Sequence, residues 1–218
     1  MRIINKYCGH KQHETVKTKT LLGEMIVYNY EKYKGQAGTY CPGQDDVSQT
    51  LINTGYWEKS LLSRVTDILS QGDKNNLIFD VGSHIGWYSK MAENFGYMVN
   101  AYDAIREHLQ ILKKNAPSSF TLLRSFDEKS VPTCETNVPV ELLKIDIEGS
   151  EQHAIRYFEP SLHLVKNIIM EVSPVFNDSY PELLKKIVLR GFHVMEIDGS
   201  EFNFDFSFKQ KDLWLKKQ

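Results

Sequence analysis

A doubly wound α/β fold is what this sequence predicts, and three observations predict it. From Gly55 onward, short apolar runs alternate with segments whose apolar residues recur at helical spacing. The runs are too short for helices and stop at glycine or an acid, so they read as buried strands. Strands separated by helical segments need right-handed crossovers, and those build a mainly parallel sheet covered on both faces.

Tyr56 to Ser70 carries Leu61, Leu62, Val65, Ile68 and Leu69 at helical spacing before Gln71-Gly72-Asp73 stops it. Leu77 to Val81 is the first strand and ends at Gly82; residues 84–95 read as helix, Tyr97 to Tyr102 as the second strand, and Ile105 to Asn115 as the second helix. Phe120 to Leu123 is the third strand. Arg124 to Val138, broken by Pro132, lacks the periodicity of a helix. Val140 to Ile147 follows as strand, Ser150 to Phe158 as helix, Asn167 to Val172 as strand, Tyr180 to Arg190 as helix and Phe192 to Ile197 as strand.

The ends differ from this pattern. Glu201 to Phe208 alternates strictly, with Phe202, Phe204, Phe206 and Phe208 on one side, so it reads as a half-buried strand; a stacking platform for a sugar is the alternative. Leu213-Trp214-Leu215 within Asp212 to Lys216 adds a last strand, joined without a helix and therefore antiparallel. Residues 1–55 form an N-terminal cap or extension before the main domain of residues 56–218. In it, Leu21 to Tyr30 reads as a strand or hairpin, and Lys34 to Asp46 as loop.

Composition narrows the function. The 218 residues are 41% hydrophobic and 25% charged, which excludes a disordered or fibrous chain. A net charge of -2 provides no global attraction to nucleic acid or an anionic membrane, so neither is expected as a partner. Residues 1–20 hold Arg2, Lys6, Lys11, Lys17 and Lys19 against Glu14 alone, a solvated basic arm. Cys8, Cys41 and Cys134 are odd in number and far apart, which suits free thiols in a reducing compartment. Cys8-Gly9-His10 with His13 lacks a second ligand pair at zinc spacing. No apolar run approaches the ~18 residues of a membrane span, and no leader-type apolar region opens the chain, so the cytoplasm is the expected location.

In a doubly wound sheet, ligands sit beyond the C-terminal ends of the strands where strand order reverses. The first strand ends in Asp80-Val81-Gly82-Ser83-His84-Ile85-Gly86, whose glycines allow a sharp turn and a helix N-terminus facing an anion such as a carboxylate. His84 stands where a dinucleotide fingerprint needs glycine, which argues against a pyrophosphate ligand and makes a nicotinamide oxidoreductase the weakest reading. The second strand ends at Asp103, about 20 residues on, where a carboxylate accepts from a ribose diol or caps a helix. In Lys144-Ile145-Asp146-Ile147-Glu148-Gly149 the period of two puts Lys144, Asp146 and Glu148 on one side. Asp80 and Asp146 are expected to face one crevice, with Glu171 adding a carboxylate from the next strand. Clustered acids call for a cation: a sulfonium, an ammonium or a divalent metal such as Mg²⁺. Trp87 and Tyr88 offer cation–π faces or core packing.

IFDVGSHIGWYSKM at 78–91, Asp103, LLKIDIEGSEQHAI at 142–155 and NIIMEVSP at 167–174 resemble the FkbM-type family of S-adenosylmethionine-dependent O-methyltransferases, from about residue 44 to the C-terminus. The resemblance implies a Rossmann-like methyltransferase sheet and S-adenosylmethionine as cofactor. It implies Asp80, Gly82, Ser83 and Gly86 at the methionine end, Asp103 at the ribose, and Ser125 and Phe126 near the adenine. It also implies an acceptor among the hydroxyls of sugars and natural products. Ser83-His84 replaces the family's usual Ala-Asn, and Asp103-Ala104 its Glu-Pro. On this reading Asp146 or Glu148 is the general base, with His84 third; Lys144 and Glu171 face the acceptor; and Mg²⁺ held by the acids is the alternative way to acidify the hydroxyl. The rivals are a methyltransferase acting on RNA or another small molecule, and a non-catalytic glycan-binding or assembly module of a larger glycan-synthesis protein.

Overall fold

The computed structural model describes residues 13–34, 42–128 and 133–218, so Cys8, His10, Cys41 and the cations Arg2, Lys6 and Lys11 lie outside the described residues. The chain divides into two compact units, Met1–Lys59 and Ser60–Gln218.

In the first unit, β1 (Thr15–Thr20) and β2 (Gly23–Tyr28) form an antiparallel hairpin. The Thr20 hydroxyl closes its turn, accepting from Leu22 N–H at 3.1 Å and donating to the Gly23 carbonyl at 2.7 Å. The strand expected within Leu21 to Tyr30 is therefore the second arm of this hairpin. Its first arm, alternating threonine with Val16, Lys17 and Lys19, carries no apolar face that a periodicity count registers. After α1 (Tyr30–Tyr33) comes α2 (Asp46–Thr54), a helix the sequence reading missed. It is defined by its ends: the Asp45 carboxylate accepts from Ser48 N–H at 3.1 Å, and Gly55 stops it at φ +78°. Leu51 is its one buried apolar side chain, too little for a visible stripe.

The second unit runs α3 (Lys59–Gln71), β3 (Leu77–Val81), α4 (Trp87–Asn94), β4 (Met98–Asp103), α5 (Arg106–Asn115), β5 (Phe120–Leu123), β6 (Val140–Ile145), α6 (Glu151–Phe158), β7 (Val165–Val172), α7 (Tyr180–Val188), β8 (Phe192–Glu196) and β9 (Lys211–Lys217). Its seven strands lie in the order β5-β4-β3-β6-β7-β9-β8, all parallel except β9. This is the doubly wound, mostly parallel sheet with an antiparallel C-terminal strand that the alternation predicts. Chain order reverses between β3 and β6, so a crevice opens beyond their C-terminal ends.

Strand alternation assigns the two sheet faces. Phe79, Val81, Leu143, Ile145, Ile168 and Met170 join the core with Phe158 of α6 and Leu184 of α7. The intervening positions of β3 and β6 include Asp80 and Lys144, side by side in register and 1% and 3% exposed. No helix among the described residues is long and apolar enough to cross a membrane.

Two expected strands end differently. β6 stops at Ile145, two residues short, because Asp146 and Ile147 leave the ladder; Asp146 N–H still reaches the Val81 carbonyl at 3.0 Å. Glu201 to Phe208 forms no strand beyond a single bridge at Glu201. Its period of two has another origin: Asn203 accepts from Asp205 N–H at 3.1 Å, and Asp205 accepts from Ser207 N–H at 2.9 Å. Polar side chains bonding the backbone two residues on make consecutive turns and repeat every second residue, as a strand does. Phe202 is buried and anchors the loop, while Phe204, at φ +58°, is 44% exposed.

That difference gives a direct check in urea unfolding. Phe202→Ala is expected to cost about 3–5 kcal/mol and Phe204→Ala under about 1 kcal/mol. Equal costs at both positions would restore the half-buried strand.

Candidate functional site

Beyond β3, three left-handed residues in five turn the chain into α4: Gly82 at φ +79°, His84 at +48° and Gly86 at +89°. Histidine is among the side chains that enter this region most readily. The turn is pinned to the neighbouring strand, since the N–H groups of Gly82 and Ser83 and the Ser83 hydroxyl all donate to the Tyr102 carbonyl at 2.9, 3.0 and 3.1 Å. A Cβ on Gly82 would stand 1.8 Å from the Asp146 carbonyl oxygen, so glycine is what lets β3 and the end of β6 meet. At Gly86 a Cβ would stand 2.7 Å from Leu112, and its absence seats the start of α4 against α5.

Asp103 ends β4 and is held by three donors. One oxygen, Oδ2, accepts from His84 N–H at 2.8 Å, while Oδ1 accepts from Ile105 N–H at 2.7 Å and meets His108 Nδ1 at 3.1 Å. The His84 ring lies edge-on to the His108 ring, with centroids 4.1 Å apart. Burial opposes ionisation of Asp103, but the two imidazoles and the Ile105 N–H outweigh it and hold the carboxyl below its ordinary range. The structure thus groups His84 with Asp103 and His108, on the β3–β4 side of the crevice.

On the β6–β7 side three carboxylates converge. Parallel register pairs Lys144 with Ile169 and Ile145 with Met170, so one further step sets Asp146 beside Glu171. Glu148 reaches the same point by another route. It lies beyond the strand at φ +53°, and the loop, not the strand period, turns its side chain back. Asp146, Glu148 and Glu171 each bring an oxygen within 4.8 Å of the others. Glu148 is exposed, Asp146 half-buried and Glu171 7% exposed.

Lys144 holds Asp146, with Nζ 3.0 Å from Oδ2, and lies 4.9 Å from the Tyr88 ring centroid. Burial raises the Asp80 carboxyl; the Lys144 charge and the Ser89 hydroxyl, 2.6 Å from Oδ2, work the other way. Asp80 Oδ1 has no hydrogen-bond partner. Burial, followed by the charges of Asp146 and Glu148, pushes Glu171 up to about 8, against a Gln210 amide bonded to its Oε1. Its Oε2 is closed off from solvent and meets no donor. Glu148 is raised too, by desolvation first and then by Asp146 and Glu151.

The five expected acids therefore do not share one cluster: Asp80 is sealed beneath the crevice, Asp103 belongs with the histidines, and only Asp146, Glu148 and Glu171 converge. Trp87 and Tyr88 are 2% and 8% exposed, so they serve the core, and the cation Tyr88 meets is Lys144. Phe126 is 6% exposed against Tyr102 and Tyr157, also as core, while Ser125 is exposed.

Sequence reasoning missed Glu151. Its buried carboxylate accepts from Ile147 N–H at 3.2 Å and Gly149 N–H at 3.1 Å through Oε1, and from the Tyr180 hydroxyl at 2.5 Å through Oε2. It fixes the loop that carries Glu148 to α7. An acid opening a helix directly after Glu-Gly-Ser was the available signal. Also missed was Phe176, 61% exposed beside Val175 at 65%, on the loop after β7 that rests against Gly149. Asn177 Nδ2 donates to the Gly149 carbonyl at 3.1 Å and ties the two loops together.

No family model matches the chain, and no curated protein matches it. Solved structures do. A TehB-like S-adenosylmethionine-dependent methyltransferase from Corynebacterium glutamicum superposes with a TM-score of 0.55 and 12% identity, over 78% of this chain and 93% of that one. Magnesium protoporphyrin IX methyltransferase from Synechocystis, solved with bound S-adenosylmethionine, gives 0.54 and 12%, over 87% and 89%. A 16S rRNA guanine-N2 methyltransferase from T. thermophilus gives 0.54 and 13%, over 94% of this chain and 50% of that one. The fold of this chain is that of the Rossmann-like S-adenosylmethionine-dependent methyltransferases.

Asp103 sets a pH dependence. A carboxyl lowered in the folded state adds stability that is fully present above its ordinary value of 3.8 and is lost as pH falls through the folded value. Asp103→Asn is therefore expected to flatten the acid limb of a stability-versus-pH curve below about pH 4, read by urea midpoints. An unchanged acid limb would mean that His108 and His84 do not hold this carboxylate.

Proposed function

We propose that this protein transfers a methyl group from S-adenosylmethionine to a hydroxyl of a sugar or glycan. The fold supports the cofactor, and the resemblance of residues 78–91 and 142–155 to the FkbM-type family supports the acceptor class. The observation that carries the reading is the convergence of Asp146, Glu148 and Glu171 within 4.8 Å beyond the ends of β6 and β7, next to the switch point between β3 and β6.

The residues present fit the cofactor. Asp103 Oδ2 spends one lone pair on His84 N–H and keeps another for a ribose hydroxyl. Gly82, Ser83 and Gly86 provide the backbone turn that would receive the methionine end, with Asp80 beneath it, and the acids suit a sulfonium and an ammonium. Ser125 follows β5, one strand outward from β4, and would meet the adenine. Bound S-adenosylmethionine supplies a methyl group already activated by its positive sulfur.

What remains for the chain is alignment and proton removal. A rim of carboxylates accepts hydrogen bonds from neutral hydroxyls and repels phosphate, which favours a polyol over a nucleic acid. Exposed Val175 and Phe176 give the apolar face of a sugar ring a surface beside those acids. Holding oxygen, carbon and sulfur in line at ~3 Å supplies several kcal/mol of the barrier. Asp146 or Glu148 would take the hydroxyl proton while the acceptor oxygen gains the methyl, the methyl–sulfur bond breaks and S-adenosylhomocysteine leaves; Lys144 holds the Asp146 side chain in place. His84 acts on the cofactor side by fixing Asp103.

The test uses labelled S-adenosylmethionine with a panel of deoxy- and methyl-sugar acceptors. Transfer to a sugar is expected, and Asp146→Asn and Glu148→Gln should lower kcat by about 10²–10⁴ while S-adenosylhomocysteine still binds. Full turnover in both variants removes the base assignment, no cofactor binding at millimolar concentration removes the enzyme, and label transferred to RNA instead of sugar removes the acceptor class.

A further inference from the structure

We propose that Asp146, Glu148 and Glu171 together form a site for a hard divalent cation of the Mg²⁺ or Mn²⁺ class. It concerns the same carboxylates as the proposed function but stands without that reading.

Two observations point to it independently. The first is spacing. A Mg²⁺–oxygen distance of ~2.1 Å sets ligand oxygens ~3 Å apart when adjacent and ~4.2 Å when opposite, and larger cations spread them further. The three carboxylates already place one oxygen each within 4.8 Å of the others, so small side-chain rotations complete the cage. The second is an orphan. Glu171 is 7% exposed, its Oε1 is taken by Gln210, and its Oε2 is closed off from solvent and meets no protein donor. A buried carboxylate oxygen without a partner costs on the order of 1–3 kcal/mol or more, and a cation removes that cost.

The neighbours divide the remaining oxygens in the same sense. Lys144 occupies Asp146 Oδ2 at 3.0 Å, and Oδ1 stands outside that ion pair. Glu151 holds Ile147 and Gly149 by their N–H groups, which keeps Glu148 on the rim without using its carboxylate. Lys144 is shared between Asp80 and Asp146, so the carboxylates here outnumber the cation that meets them, an excess a divalent ion would offset. All donors are oxygens, which selects Mg²⁺, Mn²⁺ or Ca²⁺ over softer metals. Three protein ligands leave about three positions of an octahedral ion for water or for adjacent hydroxyls of an acceptor.

Mn²⁺ alone, titrated into the full chain and followed by electron paramagnetic resonance and calorimetry, is the probe. One saturable site displaced by Mg²⁺ is expected, weakened at least about tenfold in Glu171→Gln and in Glu148→Gln. Circular dichroism reports whether the buried Glu171 variant folds, and the exposed Glu148 variant carries the test if it does not. Absence of saturable Mn²⁺ binding at millimolar concentration, or undiminished affinity in the folded variants, overturns the site and leaves Glu171 held by a proton alone. S-adenosylhomocysteine binding, measured separately, keeps the two readings apart: Mn²⁺ without it sinks the methyltransferase, and the reverse sinks the metal.

Discussion

Lys144 is the constraint around which the centre of this molecule is arranged. An ammonium 3% exposed in the middle of a parallel sheet is affordable only with anions at hand. Register provides them. Asp80 is its direct neighbour on β3, and Asp146 stands two residues along its own chain with Oδ2 at 3.0 Å. The Asp80 neighbour requires β3 and β6 to lie side by side, which is also what creates the switch point, whereas Asp146 comes from the same chain two residues on. Half of the ion network and the crevice thus follow from one strand pairing. Removing the ammonium would strand two carboxylates, one of them wholly enclosed, and breaking a buried pair of this kind typically costs about 3–5 kcal/mol.

The strands deliver Asp146 and Glu171, but the third acid depends on a loop under local constraint. Glu148 and Gly149 both hold positive φ, and Glu151 binds the N–H groups on either side of Glu148 while accepting from Tyr180 on α7. Two features make this anchorage firm. Glu151 is 0% exposed, and a Cβ on Gly149 would meet Phe176 at 2.9 Å, so the loop after β7 closes over it. The position of Glu148 is therefore governed from α6 and α7, elements that carry none of the converging acids.

How much of this was legible in the sequence follows from what each feature depends on. Strands β3 to β8 and the helices between them were readable, because their apolar residues repeat at the period of the element they form. Asp146 and Glu171 were readable because both fall near the C-terminal ends of such strands, one just past β6 and one just inside β7. Glu148 was named on the wrong ground: strand alternation assigned its side, whereas the chain leaves the strand at Ile145 and turns left-handed. Phe202 to Phe208 misled for a related reason, since Asn203 and Asp205 repeat every second residue through turns. The separation of Asp103 from the other acids was not legible at all. It depends on His108, five residues on, and on the backbone of His84 about 20 residues earlier, pairings that only the closed β3–β4 edge produces.

That separation explains why five acids can occupy one end of a sheet without expelling each other's charge. On the β3–β4 side Asp103 is compensated by two imidazoles and two backbone N–H groups; beneath the crevice Asp80 relies on Lys144 and Ser89. On the β6–β7 side carboxylates outnumber cations among the described residues, because Lys144 is shared with Asp80, and it is there that Glu171 is pushed up to about 8. The deficit lies beside the crevice, at the one place where Phe176 and Val175 also leave apolar surface uncovered. Hydroxyl donors or positive charge, together with an apolar face, would complement this edge. The near-balance of 26 basic and 28 acidic residues conceals this local excess, which pairing elsewhere in the sheet creates by elimination.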